Sequence, residues 1–476
     1  MAGRYSIGET KVRPGIYFRQ ENGGGNDNLG ATNGIVGVAF KANWGPLGKV
    51  VTLEDPSDIA AIFGDDSVSG SNVKILNAIF AGGASQILAV RVGTGGTKAA
   101  ITLKDTTSGT PIDVVTLTAK YAGTRALSVT IKDSLSITTM RECIVYAGTT
   151  ELSKVLFAKG SAGEVEALVT AINASEDCVV TATKVAAGNG LLAAVSQSAF
   201  TTAGASPTIT STDYSDAFTL LEATKWNTIC IDSDDTSIHA LLSAFINRAN
   251  DAGLMGIAVL GEPTSVAYAT RKADAAAFNS ENVVYCLNGF TIGGEDYEGW
   301  RAAALVAGYI AFLPSNDSLT HKIIPNATAV VGALTNTQVV ECLQSGCLVF
   351  TVSASGAVWV EQGINTLVTL RSDQDAGWKK IRRTKTRFEL IDRINVNSEG
   401  VIGNVNNDDN GRATLLAIIN GVGAEMIAEG KLQIFEASES TTNLPKGDSA
   451  WFVISVLDND SMEHIYLTYM FRFAET

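Results

Sequence analysis

The chain is poor in the residues that catalysis and metal binding most often use. It has only three histidines in 476 residues, His239, His321 and His464. None of them forms an H-x-x-x-H or H-E-x-x-H spacing, and no G-x-S-x-G motif accompanies them. A structural histidine is the more ordinary interpretation of His239, inside an amphipathic helix, and of His321, in a turn. The sequence therefore predicts no catalytic residue, no metal ligand and no cofactor.

Cysteines and long apolar runs are also scarce. The closest two of the six cysteines, Cys342 and Cys347, are spaced C-x4-C, and the others are scattered. That pattern favours a reducing compartment in which the thiols are small apolar core groups. The first residues have no apolar core flanked by basic residues, and no run of about eighteen apolar residues occurs. We expect neither a signal peptide nor membrane insertion.

Charge is low and mostly negative. Charged residues make up 18% of the chain, and 35 Lys and Arg against 49 Asp and Glu leave a formal charge of −14. An acidic chain is a poor candidate for binding the phosphate backbone, so we predict no nucleic-acid partner. The apolar content of 46% is enough for several hydrophobic cores and argues against disorder.

Motifs for phosphate and calcium are incomplete. The glycines at 23–25 precede no helix at nucleotide-loop spacing, and residues 93–98 do not fit the P-loop pattern. Residues 406–411 resemble the opening of a calcium loop, but Ala417 stands where a bidentate glutamate is needed. We prefer to interpret this segment as a polar turn that caps the following helix.

The chain does contain a clear alternation of strands and helices. Between about residues 214 and 360 this alternation predicts a parallel sheet with helices on both faces. Residues 97–202, with Val- and Thr-rich segments between Gly and Ser turns, predict a mostly-β insertion. The predicted divisions are an arm and Gly-rich linker (1–34), a first α/β core segment (35–96), the inserted β domain (97–205), an α/β domain (206–368) and a C-terminal domain with a terminal strand (369–476).

Both ends of the chain contain extended segments. Pro14 restricts Arg13 to extended geometry, and a Gly-rich tether follows this first segment. The aromatic segment 464–473 alternates as a strand, which is hazardous as an open edge. Two interpretations stay open for it, a hairpin with residues 451–457 or donation to a partner. The predicted intersubunit strand residues are Val12, Pro14, Gly15, Ile16, Tyr17 and Phe18 in the first segment and Ile465, Leu467, Tyr469, Phe471 and Phe473 in the last.

One basic patch contrasts with the acidic chain. Residues 379–387 carry six positive charges and no negative one. Such a patch indicates docking to an acidic surface, and a merely solvated face is the alternative. Its members are Lys379, Lys380, Arg382, Arg383, Lys385 and Arg387.

Several short motifs, in order along the chain, together resemble one family. They are Pro14-Gly-Ile-Tyr17, Asn43-Trp-Gly-Pro46, Leu319-Thr-His-Lys322, Gly363-Ile-Asn-Thr-Leu367 and Ile402-Gly403 with Asn406-Asn407. This set resembles the tail sheath proteins of contractile phages and related contractile particles.

The resemblance implies a structural subunit and no enzyme. It implies stacked hexameric rings around an inner tail tube, contraction, and contacts with baseplate and tail terminator proteins. The implied fold class is α/β plus β, with a subtilisin-like doubly wound core that lacks the catalytic triad, an inserted mostly-β domain, and an α+β C-terminal domain. Terminal arms would add strands to neighbouring subunits, and the basic patch would face the tube.

The resemblance also implies a location. The protein would lie in a virion tail or phage-tail-like particle assembled in the bacterial host cytoplasm. Two other classes stay open at this point, an α/β-hydrolase-like enzyme and a monomeric β-rich binding module.

Overall fold

The computed structural model describes residues 2–4, 16–18, 33–64, 70–160 and 163–472. The chain forms two compact units. The core unit comprises residues 33–388 and the chain from 458 onward, and the C-terminal unit comprises residues 389–457 together with residues 1–32. The chain therefore leaves the core unit once and returns to it.

The first part of the chain supplies three strands and two helices of the core unit. Before them, β1 (Ala2–Arg4) and β2 (Ile16–Phe18) form a parallel pair. The core elements are β3 (Ile35–Phe40), β4 (Val50–Leu53), α1 (Ser57–Phe63), α2 (Lys74–Ala81) and β5 (Gln86–Arg91).

The next part is mostly β, as the sequence predicts. It forms a four-stranded antiparallel sheet in the order β10-β9-β8-β12 and a three-stranded one in the order β11-β7-β6, with one helix. The elements are β6 (Ala100–Lys104), β7 (Asp113–Ala119), β8 (Ser128–Asp133), β9 (Met140–Ala147), β10 (Thr150–Ala158), α3 (Glu164–Ala174), β11 (Val180–Lys184) and β12 (Val195–Ala199).

The α/β alternation then resumes. Asp235 caps the first long helix after it by accepting a hydrogen bond from the Ser237 backbone N–H at 2.8 Å. The elements are α4 (Ser211–Glu222), β13 (Thr228–Ile231), α5 (Thr236–Asp251), β14 (Ile257–Gly261), α6 (Tyr268–Phe278), β15 (Val283–Cys286), β16 (Gly289–Ile292), β17 (Glu295–Tyr297), α7 (Trp300–Phe312), β18 (Ala327–Val331), α8 (Asn336–Gln344), β19 (Phe350–Val352) and β20 (Val358–Val360).

Strands from both α/β segments join in one six-stranded sheet with the order β15-β14-β13-β3-β5-β4. Five strands are parallel, and β4 is antiparallel at the edge. Side chains on β3 alternate between the faces, with Val36 and Val38 toward α1, α2 and α7 and Ala39 toward α4 and α5. Because apolar helices cover both faces, the central strands are buried throughout. The predicted mixed α/β class is confirmed, whereas the subtilisin-like topology stays a prediction.

The Asn43-Trp-Gly-Pro46 turn joins the sheet to the inserted β region. Trp44 is buried in the core of that region and packs edge-on against Tyr121, with ring centroids 5.3 Å apart. The buried Arg91 guanidinium holds the turn by donating to the carbonyls of Ala42 at 2.9 Å and Gly45 at 2.7 Å. Burial lowers the pKa of Arg91 to about 10. This turn therefore connects the β region to the six-stranded sheet, because Trp44 packs in the β region and Arg91 of β5 binds the turn.

The C-terminal unit is small and partly exposed. Leu390, Val422, Met426 and Leu432 form its apolar core. The polar segment at 406–411 caps a helix, as preferred above, because Asp408 accepts from the Gly411 N–H at 2.8 Å. The elements are α9 (Ile381–Ser398), which spans the division between the units, α10 (Asp409–Ala428), β21 (Leu432–Glu439) and β22 (Phe452–Asp458).

One of the two interpretations of the terminal segment is wrong. The hairpin between residues 451–457 and 464–473 does not form, because β22 pairs with β21 and no strand is assigned to residues 464–472. The basic patch lies in a 3-10 turn and the first half of α9, a helix for which the sequence analysis made no prediction.

The crossing of α2 and α7 gives a prediction about packing. A Cβ added to Gly308 would overlap the Ile79 carbonyl oxygen, whereas one added to Gly421 in α10 meets nothing within 4 Å. We expect Gly308→Ala to lower the free energy of unfolding by about 1–3 kcal/mol through overpacking. The matched Gly421→Ala should be neutral or stabilising by up to about 1 kcal/mol. Urea unfolding of both variants checks this, and equal effects would contradict close packing at the crossing.

Candidate assembly interface

Three cations of the basic patch bind within the core unit. Lys379 donates to the Val368 carbonyl at 3.2 Å. Lys385 donates to the carbonyls of Ile310 and Leu313 and so caps the end of α7. Arg387 pairs with Glu281, and its guanidinium lies 3.6 Å from the ring centroid of Trp378.

The other three cations hold an acidic turn that follows β22. The Arg383 guanidinium donates two parallel hydrogen bonds to the Asp458 carboxylate, at 2.6 and 2.7 Å. Lys380 donates to Asp460 at 2.8 Å, and Arg382 lies 3.9 Å from it. The bond to Asp458 raises the pKa of Arg383, since the ionised pair is the favoured state. We call this set the terminal clamp; it comprises Lys380, Arg382, Arg383, Asp458, Asp460 and Glu463.

Glu463 is the most enclosed acid of the terminal clamp, with its side chain 5% exposed. It accepts hydrogen bonds from Thr320 Oγ1 and Gln362 Nε2, both at 3.1 Å, and from Ser318 Oγ at 3.4 Å. Burial alone would raise its pKa, but these bonds and the Lys380 charge outweigh burial and lower it. Its contribution to stability is therefore present at neutral pH and is lost as pH falls through that lowered pKa.

The Glu463 socket comprises Ser318, Thr320 and Gln362, which lie in or directly before the motifs at 319–322 and 363–367. Thr320 Oγ1, which donates to Glu463, also accepts from the Gly363 backbone N–H at 3.1 Å. Gly363 approaches so closely that an added Cβ would lie 2.9 Å from the Leu319 Cβ. His321 stacks face to face on Trp359, with ring centroids 3.9 Å apart. Residues 319–322 and 363–367 thus lie side by side although about forty positions separate them, because the socket needs donors from both loops.

Beyond the terminal clamp the chain has no assigned helix or strand through residue 472 and is exposed. Residues 464–472 have no assigned strand partner in the described part of the chain. Both faces of this terminal segment are open to solvent. The exposed fractions are 67% for Ile465, 92% for Tyr466, 69% for Leu467, 73% for Tyr469, 82% for Met470 and 83% for Phe471.

The structure describes part of the predicted arms. Val12, Pro14, Gly15 and Phe473 lie outside the described residues. Ile16, Tyr17 and Phe18 form β2, which pairs with β1. Their predicted intersubunit role, like that of the terminal segment, stays a prediction.

The three histidines lie in unrelated surroundings. His239 is buried in α5 with its Nε2 2.7 Å from the Ser233 carbonyl oxygen, and burial lowers its pKa. His321 has its ring on Trp359, and His464 is exposed. Among the described residues, no three His, Cys, Asp or Glu side chains are grouped as metal ligands. Within the same residues, no helix is both long and apolar enough to cross a bilayer.

Two segments of the chain match models of known families. Residues 208–366 match the phage tail sheath protein central domain. Residues 33–92 match the N-terminal region of domain III of the tail sheath protein Gp18. Both models describe tail sheath domains and support the contractile tail sheath family for this chain. The two matches fall on the two segments that build the six-stranded sheet.

Two Bacillus subtilis proteins are similar in sequence to most of this chain. The chain is 24% identical to the uncharacterized protein YqbK of Bacillus subtilis over 401 residues, which are 83% of this chain and 80% of the relative. The phage-like element PBSX protein XkdK of the same organism is also 24% identical, over 410 residues that cover 83% and 80%.

Solved structures share the fold. The sheath tail protein of Desulfitobacterium hafniense has a TM-score of 0.66 at 23% identity and covers 93% of this chain and 100% of its own. The contracted helical sheath of the anti-feeding prophage gives 0.53 at 11% identity, covering 97% and 99%. A structural role as a sheath subunit follows from the family, as the sequence motifs indicate.

Breaking the terminal clamp gives a prediction about stability. Arg383→Met leaves the Asp458 carboxylate, 11% exposed, without its two charged donors. We expect the free energy of unfolding to fall by about 1–3 kcal/mol. Arg371→Met is the matched control, because its pair with Asp373 is 65% and 69% exposed, and it should stay within about 0.5 kcal/mol of the parent. Chemical denaturation measures both, and equal losses would argue against a strong clamp.

Proposed function

We propose that this sheath protein polymerises as stacked hexameric rings around an inner tube and contracts to drive the tube through a target envelope. The family supports the general role. The observation that carries the assembly proposal is the terminal segment 464–472, which is aromatic, alternates as a strand in sequence and is exposed at both sets of alternating positions. A strand of this composition is an aggregation hazard unless a partner covers it. The partner we propose is a second copy of this chain.

The sheet of the C-terminal unit is the proposed acceptor. Among the described residues this sheet has two strands, β21 and β22, and a two-stranded sheet is marginally stable alone. Both strands leave apolar side chains in solvent, among them Ile434 at 57% and Val453 at 54% exposure. A terminal segment donated by a neighbouring subunit would extend this sheet through backbone hydrogen bonds and cover part of that apolar surface.

Strand addition suits a lattice that changes shape. Ladder hydrogen bonds between backbones can persist while side-chain interfaces between the globular bodies are exchanged. The arm at residues 12–18 and its Gly-rich tether would make a second such connection. We infer that the extended lattice is metastable and that contraction releases energy through larger or better interfaces.

Charge reversal in the basic patch does not by itself test contact with the tube. The described contacts of Lys380, Arg382 and Arg383 are with the acidic turn of the same subunit, with a backbone carbonyl and, for Arg383, with Asp375. Reversing Arg382 or Arg383 would therefore open the terminal clamp as well as any tube contact. The tube, baseplate and tail terminator proteins remain the proposed partners.

The two faces of the terminal segment provide an assembly test. We expect the double substitution Leu467→Lys and Phe471→Lys to abolish sleeves, because one face of a donated strand packs on the acceptor. Tyr466→Lys with Met470→Lys adds the same charge to the opposite face and should leave assembly largely intact. All four side chains are at least 69% exposed, so neither variant should destabilise the free subunit.

Negative-stain microscopy and sedimentation of the purified full chain, with and without tube protein, measure the outcome. Striated sleeves with six-fold end views are expected from the parent. Normal sleeves from the Leu467 and Phe471 variant, or a monomeric parent in the presence of tube and baseplate, would overturn the proposal and favour a monomeric binding module.

A further inference from the structure

One short segment of the core unit, residues 311–322, contacts two residues that are distant in sequence, Gly34 near the beginning of this unit and Glu463 in its last part. At its beginning, the Ala311 carbonyl accepts from the Gly34 N–H at 2.9 Å. Gly34 has a φ of +93° and packs on Ser85 so closely that an added Cβ would overlap the Ser85 hydroxyl. The residue at which the N-terminal linker joins the core unit is therefore fixed beside the end of α7.

At its other end, the same segment supplies the Glu463 socket. Ser318 and Thr320 donate their hydroxyls to Glu463, the last residue before the exposed terminal segment. The exposed terminal segment thus begins at a residue that is bound to residues 311–322.

Between these two points, α9 holds the segment in place. Arg382 Nε donates to the Asn316 carbonyl at 2.8 Å, and Thr386 Oγ1 donates to the Ser315 carbonyl at 3.1 Å. Arg382 also faces Asp460 of the terminal clamp. The segment is therefore hydrogen-bonded to Gly34, to α9 and to Glu463.

We propose that Glu463 is a positioning residue for sheath assembly: its socket sets the point from which the donated terminal segment starts, beside the start of the N-terminal linker. This inference rests on the proposed strand donation. With the socket closed, the donated segment starts from a fixed point, which favours one pairing register. With the terminal clamp open, the five residues 459–463 let that starting point move by up to about 16 Å, and register is lost.

A nitroxide spin label tests the socket in the unassembled full chain. All six native cysteines are buried, so the introduced thiol of His464→Cys or Met470→Cys is the one labelled. We expect slow label motion at position 464 and fast motion at position 470. Glu463→Gln and, independently, Thr320→Val should make motion at 464 as fast as at 470. Glu176→Gln, an exposed glutamate in the inserted β region, is the matched control and should change neither.

The same variants without labels then test positioning. Far-ultraviolet circular dichroism first checks that each variant is folded. Glu463→Gln and Thr320→Val should raise the subunit concentration needed for sleeves by about tenfold, equivalent to about 1.4 kcal/mol per subunit. The Glu176 control should assemble like the parent.

Each result separates this inference from the assembly proposal. Slow motion at 464 in both socket variants would overturn the socket as the anchor. Fast motion with an unchanged assembly concentration and ring repeat would overturn the positioning role. Normal sleeves from the Leu467 and Phe471 variant would instead overturn strand donation itself, whatever the label shows at 464.

Discussion

The ion pairs between the start of α9 and the acidic turn at 458–463 fix the place at which the exposed terminal segment begins. Their partners are 75 to 83 residues apart in the sequence. The Asp458 and Glu463 side chains are nearly buried, and such carboxylates are tolerated only when charged and polar donors surround them. Because these donors belong to the core unit, the turn is held there, and the exposed segment begins at a defined place.

The α/β sheet supplies the frame on which this arrangement depends. Its two faces are covered by separate apolar cores, and α7 crosses one of them with its last turn capped by Lys385. The loop that follows α7 carries Ser318 and Thr320 to the Glu463 carboxylate. The motif at 319–322 thus supplies a donor to the socket through Thr320, and Gly363 of the second motif donates its N–H to the same hydroxyl.

Local signals predicted many elements because their causes are local. β3 and the buried strands of the sheet follow from continuous apolar runs, and the N-terminal caps Asp235 and Asp408 follow from side chains that bond to the next turn. The first half of α9 was missed because its charged sequence has little apolar content, and its burial depends on partners far away. β21 was missed for a related reason, since its alternation is weak and its pairing with β22 is decided by packing on α10.

The sequence by itself determined the alternating α/β core, the mostly-β region, the family resemblance and the aromatic strand-like character of the chain end. Each depends on residue type and spacing within a short window. Only the tertiary structure decided that three cations of the basic patch bind the chain's own acidic turn and that residues 464–472 make no hairpin. It also decided that Gly34 and Glu463 both contact residues 311–322. The reason is that residue type alone sets the sign of a charge, whereas the group that this charge pairs with depends on which distant segments pack beside it.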